Sequence, residues 1–423
     1  MTTHSVPRGT KDILPSEIPY WHLIESTARN LFDLYNYQEI RTPIFEHAEL
    51  FEQGIGQGTD IVEKEMYTFT DKGDRRLTLR PEGTAPIVRA VIQHPELIHH
   101  QNAKLYYCGP MFRYERPQSG RYRQFHQVGV EYIGESNPEA DIEIISMAYR
   151  FFEALGLEKL TVNVNSIGDE ISRPVINEAI RQFLGNTKWL EKELCPRCVP
   201  RFNQNPLRIL DCKNEICNQY LSGMPDIKTL QSAACKDHFH SVIDGLKRLK
   251  IPFKVNPFLV RGLDYYTRTT FEIISDNLGA QNAICGGGRY DNLIKKMGGK
   301  STPAIGFAFG IERIILALQA QKKVIETTQS LIFIAPFGYT YYSQGMQMLD
   351  TLRRAGFKSE MDYSQKNDLK SQLKTANKLK ATFVIILGEE EALKNTIIVK
   401  NMKTGIQTEI PSKTMVKYLQ AQT

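Results

Sequence analysis

FRYERPQSGRYRQFHQVGVE, residues 112–131, places Arg113, Arg116, Arg121 and Arg123 between two strand-like flanks. LYYCGPMFRY (105–114) precedes it and FHQVGVEYIG (125–134) follows, while Pro117, Ser119 and Gly120 punctuate the middle. The pattern predicts two antiparallel strands joined by a basic loop. Residues of one parity in a strand share a face. Phe125, Gln127, Gly129 and Glu131 therefore project together, offering an aromatic platform, an amide, a bare backbone and a carboxylate. That set suits a ligand floor better than a core. Arg113, planar and permanently charged on the partner strand, suits a phosphate held bidentately. The plainer alternative is a solvent-facing strand charged for solubility.

Outward from the hairpin, Ile18, Trp21, Ile24, Ala28, Leu31, Phe32 and Tyr35 recur at steps of three and four, the mark of an amphipathic helix over 17–35. LTLRPEGTAPIVRAVI (77–92) reads as strand, turn and helix, with Thr84 as the expected cap. Residues 170–255 look helical and carry most of the cysteines, and read as an insertion. Strand patterns return at FKVNPFLVRG, YYTRTTFEII, ICGGGRYDNLI and TPAIGFAFGIERIILAL. Hairpin connections predict a largely antiparallel sheet, in an α+β first domain over 1–325. A polar stretch at 318–330 precedes a compact α/β domain over 329–423, where strands alternate with helices. That last part holds 13 Lys/Arg against 8 Asp/Glu, so most of the chain's net charge of +6 lies there.

The 423 residues are enough for two or three sizeable cores. No apolar run reaches the roughly 18 residues of a membrane span, and MTTHSVPRGTKDILP lacks the apolar centre of a secretion signal. The 7 cysteines, odd in number and unevenly spread, argue for reduced thiols in a cytoplasm. Cys195, Cys198, Cys212 and Cys217 approach a four-thiolate zinc pattern, but the second pair is wider than a zinc ribbon's. Free cysteines in a helical segment are the preferred reading, and no metal is assigned.

Four further stretches carry candidate chemistry. In RGLDYYTRTTFE (261–272), Arg261 needs an anion or a carboxylate if buried, Asp264 being the structural alternative. CGGGRYDNL (285–293) allows close approach of a ligand or of another backbone. GFAFGIERI (306–314) sets Arg313 at a helix start. Lys366, Lys370, Lys374 and Lys378 recur every four residues and form one basic helix face, suited to solvent or to nucleic acid.

In this order, the blocks PRGTKDILP (7–15), TDIVEKEMYTF (59–69), LRPEGTAP, FRYERPQSGRYRQFHQ, RGLDYYTRTTFE, GGGRYD and GFAFGIERI closely resemble bacterial histidyl-tRNA synthetases, a family of class II aminoacyl-tRNA synthetases. The resemblance covers nearly the whole chain. It implies an antiparallel class II sheet of about six or seven strands with helices, a helical insertion and a C-terminal anticodon-binding domain. It implies that Arg113 and Arg261 are catalytic, holding the α-phosphate. Glu82, Gly83, Thr84, Arg113, Gln127, Glu131, Arg261, Tyr265 and Tyr266 would bind histidine. Arg113, Phe125 and Arg313 would bind ATP, which arrives with Mg2+ and without any prosthetic group. Arg116, Gln118, Arg121 and Arg123 would meet the tRNA acceptor end. The implied partners are tRNA(His), ATP and L-histidine, in a cytoplasmic homodimer. The nearest rival is a histidine-binding regulatory relative of ATP phosphoribosyltransferase. The presence of Arg113, Arg261, Arg313 and the basic tail counts against it.

Overall fold

The computed structural model describes residues 4–422 apart from 57, 99, 101, 187–193, 213, 222, 225, 277–281, 324–329 and 365–367. The chain divides into two compact units, Met1–Ile325 and Glu326–Thr423. Among the described residues, no helix is long and apolar enough to cross a membrane.

In chain order the strands of the first unit are β1 (Gln38–Glu39), β2 (Phe45–His47), β3 (Tyr67–Thr70), β4 (Arg76–Leu79), β5 (Ala103–Phe112), β6 (Gln124–Ile133), β7 (Leu160–Ser166), β8 (Phe253–Val255), β9 (Thr267–Ser275), β10 (Ala283–Arg289) and β11 (Ala304–Gly310). β2, β4 and β3 form a small antiparallel sheet. The main sheet runs β1-β5-β6-β11-β10-β9-β7-β8. Its β5-to-β7 core is antiparallel throughout, as expected. The short edge strands β1 and β8 add parallel pairings that the sequence pattern did not reveal. Both are too short, at 2 and 3 residues, to carry a periodic signal.

One core lies between this sheet and the helices Ile18–Leu34, Pro138–Ala154, Ala233–Arg248 and Ile311–Ala320. Helix Ile18–Leu34 buries Trp21, Ile24, Ala28 and Phe32, the stripe its spacing predicts. Each large side chain so buried contributes about 1.5–3 kcal/mol. The cysteine-bearing stretch is helical, and it is built into the unit. Ala233–Arg248 sends Val242 and Leu246 into the first core, while Ile176, Ile180, Leu207 and Cys217 share a second core with Ile87, Val88 and Tyr265. Its C-terminal limit, expected at 255, falls at the end of sheet strand β8.

The second unit holds β12 (Ile332–Pro336), β13 (Ser359–Met361), β14 (Phe383–Leu387), β15 (Thr396–Asn401) and β16 (Gln407–Pro411) in the order β13-β12-β14-β15-β16. The first three pair in parallel and the last two in antiparallel fashion. Lys370, Lys374 and Lys378 stand exposed on helix Leu369–Lys378, whose opposite side buries Gln372 and Ala376. Lys366 lies outside the described residues.

Candidate active site

A cavity of about 1260 Å³ opens over the main sheet of the first unit. Phe125, Gln127 and Glu131 line it from one face of β6, as their parity requires. Arg113, Glu82, Thr84, Arg121, Arg261, Tyr265, Tyr266 and Arg313 join them.

The fourth member of the β6 face behaves otherwise. Gly129 is not open floor: a Cβ there would stand 2.2 Å from the Tyr107 ring. Tyr107 is the cross-strand partner of Gly129 on β5. Gly83 makes room for the same ring from the other side, where an added Cβ would also meet it at 2.2 Å. Both glycines therefore seat a tyrosine that itself lines the cavity.

Behind the floor lies a buried acidic pair. Glu131, 1% exposed, accepts hydrogen bonds from Thr84 Oγ1 at 2.7 Å and from the Tyr290 hydroxyl at 2.6 Å. Burial pushes its carboxyl up to about 8, against the pull of those two hydrogen bonds and with a further push from Glu82. Glu82 accepts from the backbone amides of Thr84 and Ala85, each at 2.8 Å. Burial raises Glu82 too, while those amides and Arg113 pull it back. Glu82, rather than the expected Thr84, thus caps helix Thr84–Gln93. Thr84 is already the first helical residue, and its hydroxyl is committed to Glu131.

Two guanidinium groups face the cavity. Arg113, just past β5, donates from Nε to the Pro81 carbonyl at 2.7 Å and lies 5.4 Å from the Phe125 ring centre. Arg261 pairs with Glu272 on β9, not with Asp264. Asp264 turns instead to Asn205 Nδ2 at 2.9 Å and Arg208 at 3.9 Å. Burial is the largest single influence and pulls the Arg261 pKa down, but Glu272, Tyr266 and Cys285 together outweigh it and the net shift is upward. Arg261 Nε is buried with no hydrogen-bond partner among the described residues. The guanidinium fits against β10 because Gly286 has no side chain; a Cβ there would lie 2.3 Å from Arg261 Cζ.

The remaining glycines of the run serve packing. A Cβ on Gly287 would reach the Gly306 carbonyl at 2.3 Å. Arg289, which follows, is fully buried and grips Asp141 through Nε at 2.7 Å, along with the carbonyls of Glu135 and Asn137. It holds the scaffold and does not line the cavity. Arg313, on helix Ile311–Ala320, donates to the Ala283 carbonyl at 2.8 Å and does line it.

The basic loop closes on itself through the Gln118–Arg121 bridge, with Gly120 at φ +72. Arg116, Gln118 and Arg121 are exposed. Arg123 is held instead: it lies 3.7 Å over the Tyr114 ring and hydrogen-bonds the Glu115 carbonyl at 3.3 Å. Sequence reasoning missed Tyr107 and Glu272, and gave no separate role to Tyr290. The first was detectable only through its register opposite a glycine.

Comparison with known proteins agrees with this geometry. The family model described as histidyl-tRNA synthetase matches residues 9–314, and one described as anticodon binding domain matches 332–422. A histidine–tRNA ligase from Moorella thermoacetica is 47% identical over 98% of this chain and 97% of the relative. One from Dictyoglomus thermophilum is 49% identical over 96% of this chain and 97% of its own. The crystal structure of apo histidyl-tRNA synthetase from S. aureus superimposes with a TM-score of 0.84 at 40% identity, covering 98% of this chain and 99% of that one. On this cavity, these matched segments and these relatives, the chain belongs to the histidyl-tRNA synthetase family.

Proposed function

We propose that the protein is a histidine–tRNA ligase, activating L-histidine with ATP and then transferring it to the 3′-terminal adenosine of tRNA(His). The observation that carries the site assignment is the buried, unpartnered Nε of Arg261, held against Gly286 in the cavity that Arg113 also enters. A buried N–H without an acceptor that faces a cavity is a donor available to a ligand oxygen.

Histidine enters with its ammonium toward Glu82 and Thr84. Its imidazole meets Glu131 and Gln127, and Tyr265 and Tyr266 close the side-chain pocket. ATP, taken up as its magnesium complex, lays its adenine between Phe125 and Arg313. The histidine carboxylate is already a nucleophile, so no general base is required. One carboxylate oxygen bonds to the α-phosphorus, the bond to the bridging oxygen of the β-phosphate breaks, and pyrophosphate leaves. Charge grows on the non-bridging α-oxygens, where Arg113 and Arg261 stabilise it by position and electrostatics. A ribose hydroxyl of the terminal adenosine then attacks the adenylate carbonyl, and AMP leaves. Arg116, Gln118, Arg121 and Arg123 are assigned to the acceptor end, where the exposed guanidinium groups of Arg116 and Arg121 suit phosphate or a guanine edge.

Selection of histidine follows from the same polar floor. A side chain that cannot satisfy Glu131 and Gln127 leaves buried polar groups unpaired, which discriminates without editing. The working form is a homodimer in the cytoplasm. The test is charging of tRNA(His) with each amino acid in turn. Histidine alone should be esterified; a folded protein that binds histidine and charges nothing would be a regulatory relative.

A further inference from the structure

One cluster in the cavity wall has no part in that chemistry. Cys195, Cys198, Cys212 and Cys217 come from CPRC and CKNEIC. Their sulfurs all lie within 4.8 Å of one another, and Cys195 and Cys212 are already 3.6 Å apart. A tetrahedral tetrathiolate zinc site, with Zn–S near 2.3 Å, needs sulfurs about 3.8 Å apart. Small side-chain rotations reach that arrangement. Cys198, Cys212 and Cys217 are buried.

The backbone is arranged as thiolate ligands require. The amide of Cys195 donates to Cys217 Sγ at 3.4 Å, and that of Asn214 to Cys212 Sγ at 3.5 Å. The CPRC turn is closed by the Cys198 amide on the Cys195 carbonyl at 2.8 Å. Amides aimed at sulfur stabilise negative charge and orient a metal's ligands. Four soft donors, with no carboxylate or imidazole in the group, select zinc over magnesium or calcium.

We propose that these four cysteines hold one structural Zn2+ that pins the insertion as a wall of the cavity. The stretch between the two cysteine pairs carries the anchors. Arg201 lies 3.5 Å from Asp60, Asn205 holds Asp264, and Arg208 donates to the Gly58 carbonyl at 3.0 Å. Asp264 directly precedes Tyr265 and Tyr266. The metal therefore acts as a positioning element for the RGLDYY segment and takes no part in bond making. Binding exchanges thiol protons for the cation, so affinity rises with pH.

Metal content is read without any substrate, so the test is independent of the ligase assignment. Full-length protein, purified reduced and without chelator from zinc-supplemented cells, should contain about one zinc per chain. Cys195→Ser/Cys198→Ser should contain almost none. Should that variant fail to fold, wild type stripped of metal and titrated with Co2+ decides. Tetrahedral d–d bands and thiolate-to-cobalt charge transfer are expected, displaced by Zn2+. Trypsin should cut near Arg197 and Arg201 roughly tenfold faster without metal, since an unpinned segment opens more often. Reduced wild type that takes up neither ion, iron in place of zinc, a disulfide between these cysteines, or zinc retained by the double variant would each overturn the proposal.

Discussion

Glu131 is where the site's electrostatics are most exposed to experiment. Its carboxyl titrates near 8 in the folded protein, well above the roughly 4.3 of an unfolded glutamate. The folded state therefore keeps a proton that the unfolded chain releases between those values. The stability this gives is fully present below the unfolded pKa and is lost as pH rises through about 8. Glu131→Gln, always neutral, should remove that slope. Denaturant unfolding of wild type should lose on the order of 3 kcal/mol relative to the variant between pH ~5 and ~8.5; parallel pH profiles would sink the assignment. Tyr290 and Thr84 pull against that proton, since both donate to this carboxyl. Their hydroxyls hold it before histidine binds, and a ligand N–H can then take their place. Gln127 and Glu131 were legible in the sequence because strand parity puts them on one face. Tyr107 was not, since its place depends on which residue of β5 faces Gly129.

At the scale of elements, β10 is shaped to accept Arg261. Gly286→Ala should be tolerated by the extended backbone, and the atoms nearest the added methyl all belong to the far end of the Arg261 side chain. The guanidinium must then move. We expect a kcat loss of roughly 10–100-fold with a stability change below about 1 kcal/mol, measured by steady-state kinetics beside thermal unfolding. Unchanged kcat would mean that the arginine does its work from another position. The glycine run was readable as a place of close approach, but not whose approach it admits. Arg261, Phe271, the Gly306 carbonyl and the Thr269 carbonyl each fill one part of that space. Likewise, Arg261 and its acidic neighbour Asp264 look paired in sequence, yet Glu272 reaches Arg261 from β9 because β9 and β10 adjoin in the sheet. Local spacing fixes faces and caps; partners across strands follow only from register.

At the scale of the molecule, the two matched segments divide the labour. The first unit's cavity accounts for activation, and the second matches an anticodon-binding model. In the sequence, hairpin-connected strands mark the first region, and alternating strands and helices with concentrated basic charge mark the part after residue 329. The two short parallel edge strands were not legible, being too short to carry a periodic pattern, whereas the four cysteines do suggest a thiolate set, weakened only by the width of their second pair. Lys370, Lys374 and Lys378 stand exposed on one helix of the second unit. Replacing all three by Ala should raise KM for tRNA several-fold and flatten its dependence on salt, by up to about one counterion for each phosphate no longer neutralised. Pyrophosphate exchange, which needs no tRNA, should be untouched. A variant whose tRNA KM keeps the wild-type salt slope would assign the stripe to solvent.

In the proposed mechanism, Arg113 and Arg261 stabilise the α-phosphate during activation. Histidine-dependent ATP–pyrophosphate exchange, compared between wild type and a folded Arg261→Ala, addresses it directly. We expect robust exchange in the wild type and a loss of roughly 100–1000-fold in the variant, the cost of removing one preorganised donor from a developing charge. Exchange that survives the substitution would mean that Arg261 does not stabilise the developing charge.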